Sequence, residues 1–250
     1  MMNPAEFANI ARAEESFWWY RGMRGILSRL LDPLLAGRTP RHVLEAGCGT
    51  GYNALELQKR DGWRVFPLDL QMEGLAYARS MGLERLVQGD IAALPFHSFA
   101  FDAVVSLDVI VHFPRGGEDR PMAEFARVLA PGGLLVLRVS ALDILRSRHS
   151  EFTCERQRFT RKRLIELAAR HGIRVLRCTY ANTILFPVAL AKFRIWEPLT
   201  RQAPQSGVQP GGGWLNRMLE LPLAAESIWL GAGLDLPVGQ SLILAGEKIA

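Results

Sequence analysis

The sequence predicts an α/β protein built on a doubly wound, mostly parallel sheet with helices on both faces. Three observations predict it. Short apolar runs alternate with helical patterns from residue 41 to residue 139 in the order β-α-β-α-β-β-α-β. The run Phe101–Leu107 is almost unbroken in its apolar character, as a parallel strand covered on both faces is. The first run ends in a glycine-rich turn that opens a helix, a layout that leaves a ligand crevice at the carboxyl ends of the strands. With 250 residues and 49% hydrophobic content, the chain suits one large domain with elaborations and is far from disorder.

The elements follow in order. Residues 5–35 read as helical, with Phe17, Trp18, Trp19 and Tyr20 in the middle and Asp32-Pro33 interrupting near the end. Four consecutive aromatics cannot share one helix face, so some are expected to reach beyond the local core, as a lid over a ligand or in ordinary packing. Arg41–Ala46 is the first strand and Tyr52–Lys59 the helix after it. Arg64–Leu68 is the second strand and ends at Asp69. Glu73–Met81 is a helix, stopped by Gly82 as a C-cap. Arg85–Gln88 and Phe101–Leu107 are the third and fourth strands. Helix Arg120–Leu129 meets Pro131-Gly132-Gly133, which is expected to turn the chain into the fifth strand, Leu134–Val139.

After Ser140 comes an arginine-rich connection. Thr160 caps a helix running to His171, Gly172 ends it, and Ile173–Thr179 is the sixth strand. Ser241–Ala245 is the last. Between these two lies an insertion, Ala181–Gln240. Its centre, Pro204 to Gly213, is rich in Gly, Pro, Gln and Ser, and it is flanked by the apolar, aromatic-bearing segments Ile184–Trp196 and Trp214–Leu230. The chain therefore divides into an aromatic helical lid (1–40), a core (41–180), an insertion or cap (181–240) and a final core strand (241–250).

Charge and cysteines narrow the function. The formal charge of +5 comes mostly from arginine, much of it between Arg138 and Arg177, and reads as a solvated basic face or, alternatively, as attraction to an acidic substrate or a lipid headgroup. No basic run is dense enough, and no aromatic platform is interleaved with one, to argue for nucleic acid. Cys48, Cys154 and Cys178 have no C-x-x-C spacing, so neither a disulfide framework nor a metal site is expected. Reduced thiols, no charged-then-apolar leader and no apolar stretch of membrane-span length without an interrupting charge or proline point to a cytoplasmic protein without a transmembrane segment.

The string Glu45-Ala46-Gly47-Cys48-Gly49-Thr50-Gly51 carries the most chemical information. It lacks the Lys-Ser/Thr of a phosphate-binding loop, and its glycine spacing is not that of dinucleotide folds. It resembles motif I of the class I methyltransferases that use S-adenosylmethionine. The resemblance implies a Rossmann-like, seven-stranded sheet with an antiparallel last strand, S-adenosyl-L-methionine as cofactor and S-adenosyl-L-homocysteine as product. It implies that Gly47, Cys48, Gly49 and Gly51 approach the methionine part of the cofactor, while Glu45 braces the loop and the amino end. Asp69, eighteen positions beyond Gly51, is a carboxylate able to accept from both hydroxyls of a ribose. The text Pro67–Arg79 resembles the family's second motif, which would set Leu70 beside the adenine. Asp90 would contact the adenine amino group, or cap a turn, and Ile91 would cover the ring. Leu94-Pro95-Phe96 and Phe101-Asp102 match the family spacing into the fourth strand, and Glu124–Gly133 resembles the approach to the fifth. In all, the resemblance covers about residues 41–180.

Leu107 and Asp108, at the end of the fourth strand, would line the cofactor's methionine end. His112 is the first candidate general base, since an imidazole can take a hydroxyl proton near neutral pH. The family often has Glu-His here, and Val111 replaces the Glu. His149 is a second candidate. The implied reaction is methyl transfer by in-line displacement to a small molecule, most simply at oxygen, and it needs positioning more than a catalytic triad. Three pieces are expected to choose the acceptor: Trp18, Trp19, Tyr20 and Arg21; the Ser140–Arg158 connection with Arg146, Arg148, Arg156 and Arg158; and the Ala181–Gln240 insertion. The last would cap a pocket for an apolar or lipid-like acceptor, pack on the sheet, pair subunits, or rest on a membrane surface. The competing readings are a non-catalytic module binding S-adenosylmethionine or a partner, and an NAD-dependent oxidoreductase, for which no Tyr-Lys or His-based hydride apparatus is evident. Ser106-Leu107-Asp108-Val109 is unlike the Asn/Asp-Pro-Pro-aromatic string of base and glutamine methyltransferases, and the paired glutamates of arginine methylation are not evident.

Overall fold

The computed structural model describes residues 2–38, 40–200, 203–208 and 213–249. Of the expected polar centre Pro204–Gly213, residues 209–212 lie outside the described residues. Seven strands form one sheet: β1 (His42–Ala46), β2 (Arg64–Asp69), β3 (Val87–Gln88), β4 (Phe101–Leu107), β5 (Leu129–Ser140), β6 (Ile173–Ala181) and β7 (Ser241–Lys248). Their order is β3-β2-β1-β4-β5-β7-β6. The pairs from β3 to β5 are parallel, and β7 is antiparallel to both β5 and β6. The helices are α1 (Ala5–Ala13), α2 (Trp18–Leu35), α3 (Tyr52–Gln58), α4 (Met72–Ser80), α5 (Asp119–Val128), α6 (Arg148–Phe152), α7 (Arg161–Arg170), α8 (Phe186–Ala191), α9 (Glu197–Thr200) and α10 (Gly213–Gly231). A π-helical turn, Lys192–Trp196, joins α8 to α9.

The apolar runs become central strands because both faces are covered. Successive residues of β4 and β5 point alternately into two cores. Val104, Leu135 and Leu137 join the helices α5 and α7, whereas Ala103, Val105, Leu134 and Val136 face α2, α3 and α10. The Asp102 carboxylate, at the entrance of β4, accepts the amides of Arg41 and His42 at 2.9 Å each and so fixes the start of β1 beside β4.

Three expectations are corrected. The N-terminal helix is two helices, because the chain leaves helical geometry before α2, where Phe17 adopts an extended backbone. Pro131-Gly132-Gly133 is not a turn ahead of β5 but lies within it. β5 begins at Leu129, paired with Phe101, and the extra residues are accommodated where the register shifts before Leu134 pairs with Ala103. The arginines between 138 and 177 are not simply a solvated face. Arg138 and Arg158 are buried, and Arg158, Arg163 and Arg177 pair with Glu155, Glu118 and Asp235.

Within the insertion, α10 packs along α2. A Cβ on Gly22 would stand 2.3 Å from Leu223 Cδ1, so the two helices approach at the glycine. Asn216 ties the start of α10 to the α1–α2 corner, accepting the Trp18 amide at 2.8 Å and donating to the Ser16 carbonyl at 2.9 Å. The insertion starts against the middle of α10, where Glu226 accepts the amides of Thr183 and Ile184 at 2.7 and 2.6 Å.

Candidate active site

The carboxyl ends of β1, β2, β4 and β5, the N-terminal helices and residues from 192–197 and 205–208 enclose a cavity of about 740 Å³. The glycine loop forms its floor. The amides of Gly47 and Cys48 both donate to the Leu68 carbonyl, at 2.8 and 2.9 Å, which ties the loop to β2. Its glycines have different surroundings. A Cβ on Gly47 would stand 2.3 Å from Val109 Cγ2, and one on Gly51 would stand 2.6 Å from Ala78 Cβ, so both serve close packing. Gly49, at φ +56, has nothing within 4 Å of where its Cβ would be, and presents bare main chain to open space.

Asp69 ends β2 beside that loop. Its Oδ2 accepts the Gly49 amide at 2.8 Å and its Oδ1 accepts the Gln71 amide at 2.9 Å. Burial raises its pKa, opposed by those amides. Glu45 is the penultimate residue of β1 and is 2% exposed. Asn53 Nδ2 donates to its Oε1 at 2.7 Å, but among the described residues Oε2 has no hydrogen-bond partner. Burial pushes this carboxyl up to about 8, and the nearby charges of Asp69 and Glu14 add to the effect. An unmet buried carboxylate oxygen is costly, and a cationic donor is what it lacks.

At the ends of β4 and β5, Arg138 donates from Nε and Nη2 to Asp108 Oδ2 at 2.9 and 2.6 Å, and its guanidinium lies 4.8 Å from the centre of the Trp19 ring. Asp108 holds φ +60, and its amide donates to the Arg138 carbonyl at 2.8 Å. Asp90 Oδ1 accepts the Ala92 amide at 2.8 Å, so it does cap a turn while also bordering the cavity. Burial raises the Cys48 thiol and the Tyr20 phenol well above their ordinary values.

The two histidines differ in the proton they carry. His112 Nδ1 lies 3.3 Å from the Cys154 carbonyl, which can only accept, so Nδ1 bears the hydrogen and Nε2 the lone pair. Burial lowers the His112 pKa, which favours this neutral form. His149 Nδ1 instead accepts the Gly207 amide at 3.1 Å, which leaves its hydrogen on Nε2.

The cavity brings together Trp18, Trp19, Tyr20, Glu45, Gly47, Cys48, Gly49, Asp69, Leu70, Asp90, Ile91, Leu107, Asp108, His112 and His149. Gly51 sits behind the loop against Ala78 and Leu83. Of the connection's arginines, Arg148 and Arg158 border the cavity, whereas Arg156 is exposed and Arg146 donates to the Glu155 and Arg156 carbonyls. Sequence reasoning missed Glu14, Arg138, Asn53, Phe193 and Trp196. Glu14 is buried, the Thr50 hydroxyl donates to it, and burial pushes its carboxyl up to about 7. Its signal was present: Phe7, Ile10 and Glu14 recur at i, i+3 and i+7, which puts a carboxyl on the apolar face of α1.

Residues 44–137 match the family model of a methyltransferase domain. Over that stretch the chain is similar to the class I S-adenosylmethionine-dependent methyltransferases. Methyltransferase GfsG of Streptomyces halstedii is 36% identical over 102 residues, 38% of this chain and 36% of the relative. Demethylmenaquinone methyltransferase of Thermus thermophilus is 39% identical over 106 residues, 40% of this chain and 47% of the relative. Each match spans less than half the length of either relative. Among solved folds, phosphoethanolamine N-methyltransferase 2 of Haemonchus contortus, in complex with S-adenosyl-L-methionine, superposes with a TM-score of 0.54 at 20% identity, covering 89% of this chain and 53% of that one. A S-adenosylmethionine-dependent methyltransferase of Thermotoga maritima superposes with a TM-score of 0.56 at 16% identity, covering 92% and 93%.

Proposed function

We propose that this chain transfers a methyl group from S-adenosyl-L-methionine to an oxygen nucleophile on a small, largely apolar molecule. One observation carries the reading: the buried Glu45 Oε2, without a partner among the described residues, beside the open main chain of Gly49 and the carboxylate of Asp69. These groups fit the cofactor. Glu45 would take its ammonium end, the Gly49 backbone would lie along its amino-acid part, and Asp69 would accept from the ribose hydroxyls while still holding the loop. Leu70, Asp90 and Ile91 would surround the adenine, with Leu107 and Asp108 beside the methionine end. When bound, the cofactor supplies a methyl group made electrophilic by its sulfonium.

The protein's part is orientation, water exclusion and one proton. Trp18, Trp19, Tyr20, Phe193 and Trp196 give the remaining cavity an aromatic wall suited to an apolar acceptor. His112 is the residue we assign to take the acceptor's proton, on Nε2, since its Nδ1–H is committed to Cys154. His149 holds its proton on Nε2 and is the poorer base, better suited to donate a hydrogen bond.

Calorimetry with S-adenosylmethionine, S-adenosylhomocysteine and NAD tests the cofactor assignment. Micromolar-range binding of the first two and none of NAD is expected, and equal NAD binding would favour an oxidoreductase. A labelled-methyl screen against pools of hydroxylated small molecules tests the acceptor. Label recovered on nitrogen or carbon would overturn the oxygen assignment, and cofactor binding with no transfer to any pool would favour a non-catalytic module.

A further inference from the structure

The insertion carries an apolar surface that nothing within the described residues covers. On α10, Trp214, Leu215, Met218, Leu221, Ile228 and Trp229 are exposed along one helix face, with Trp214 at 71% and Leu221 at 68%. The stretch from α8 to α9 adds Val188, Ile195, Trp196 and Leu199, the last at 74%. Few monomeric surfaces leave an apolar face of this kind bare. We propose that these two segments dock the protein on an anionic membrane surface.

Charge selects this occupant. The charged residues of the two segments are Lys192, Arg194, Glu197, Arg217, Glu220 and Glu226. All three cations are exposed. The acids are held inward: Glu197 accepts from Arg148, Glu220 pairs with Arg21, and Glu226 is buried against the amides of Thr183 and Ile184. Apolar segments that also expose cations uncompensated among the described residues, with Arg194 donating only to the neutral Ile144 and Asp143 carbonyls, complement anionic headgroups, whereas a second copy laid on the same segments would oppose like charges. Three of the apolar residues are tryptophans, which favour the headgroup level of a bilayer. No helix among the described residues is long and apolar enough to cross a membrane, so the contact is one of lying on the surface. The docking face also reaches the cavity, since Trp196 borders it while remaining 64% exposed.

The test is flotation of the full chain with vesicles of phosphatidylcholine alone and of equal parts phosphatidylcholine and phosphatidylglycerol. Binding to the mixed vesicles, weakened by salt, is expected, with little on phosphatidylcholine. The exposed double variant Leu221→Asp, Ile228→Asp, with an unchanged circular dichroism spectrum, should bind at least about tenfold more weakly. Arg217→Ala should lose roughly fivefold on the mixed vesicles only. Failure of the wild type to float, equal flotation on both vesicles, or flotation untouched by the double variant would overturn the proposal. So would a stable dimer in light scattering that the double variant converts to monomer, because a second copy would then cover the face. None of these readouts depends on methyl transfer.

Discussion

The carboxylate of Asp69 holds the amide of Gly49 at 2.8 Å, so the acid that ends β2 is also the clamp on the loop that follows β1. Its second oxygen holds the Gln71 amide and with it the start of α4. Removing the side chain therefore loosens the glycine loop and, on the proposed binding mode, also removes the acceptor for the ribose hydroxyls. Asp69→Ala should weaken S-adenosylmethionine binding by about 100-fold or more, and Asp69→Asn, which keeps one acceptor oxygen, by about tenfold, at roughly 1.5–3 kcal/mol per charged hydrogen bond. Isothermal calorimetry measures both, and unchanged affinity in the alanine variant would remove Asp69 from the site.

Gly74 stands directly behind Gly49 in the first turn of α4. A glycine-to-alanine change inside a helix normally stabilises by about 0.4–1 kcal/mol. Here the added Cβ would lie 2.6 Å from the Gly49 carbonyl oxygen and 2.7 Å from Phe7 Cε1. Backbone on one side and a packed ring on the other leave no free direction, so overpacking of about 1–3 kcal/mol decides the sign. Gly74→Ala should lower the urea midpoint and weaken cofactor binding together. A stabilised variant would mean that the loop is softer than this packing implies.

The strands were legible because a parallel strand buried on both faces reads as an apolar run, and Phe101–Leu107 has its expected bounds. The glycine motif was legible because the turn that lines the cavity is local in sequence. What the sequence did not reveal is contributed from afar. Glu14 reaches the loop through Thr50, and Arg138 meets Asp108 across thirty residues. Such pairings depend on strand register rather than spacing. The break ahead of Trp18 escaped because Glu14, Glu15 and Ser16 are all tolerated in a helix, and the Arg24 donation to the Glu14 carbonyl at 2.6 Å, which ties that corner to α2, is tertiary.

The Arg138–Asp108 pair is asymmetric, and the asymmetry sets the cost of losing each partner. The Arg138 side chain is 9% exposed and that of Asp108 30%. Asp108→Ala strands a buried cation against Trp19, which should cost about 3–5 kcal/mol. Arg138→Met leaves a carboxylate with some access to water and fills the space with an apolar chain, so it should cost less than half as much. Chemical denaturation of the two variants gives the order, and the reverse order would show that the guanidinium finds water or another acid.

Glu45 and Glu14 make stability and binding respond to pH in a stated direction. Their carboxyls lie at about 8 and about 7 in the folded protein against an ordinary 4.5, chiefly because both are buried. A raised acid binds its proton more tightly folded than unfolded, so its contribution is fully present below about pH 4.5 and is lost as pH rises through the folded value. The ligand-free protein should therefore lose stability between mildly acidic pH and pH 8, by at most about 1.4 kcal/mol per pH unit for each carboxyl. Glu45→Gln should flatten that slope. A cationic ammonium placed against Glu45 Oε2 favours the ionised form, so S-adenosylmethionine binding near neutral pH should expel a proton. Calorimetry in two buffers of different ionisation enthalpy counts that proton. Release in the wild type that persists undiminished in Glu45→Gln would separate Glu45 from the ligand's charge and leave its buried, unpartnered oxygen to another explanation.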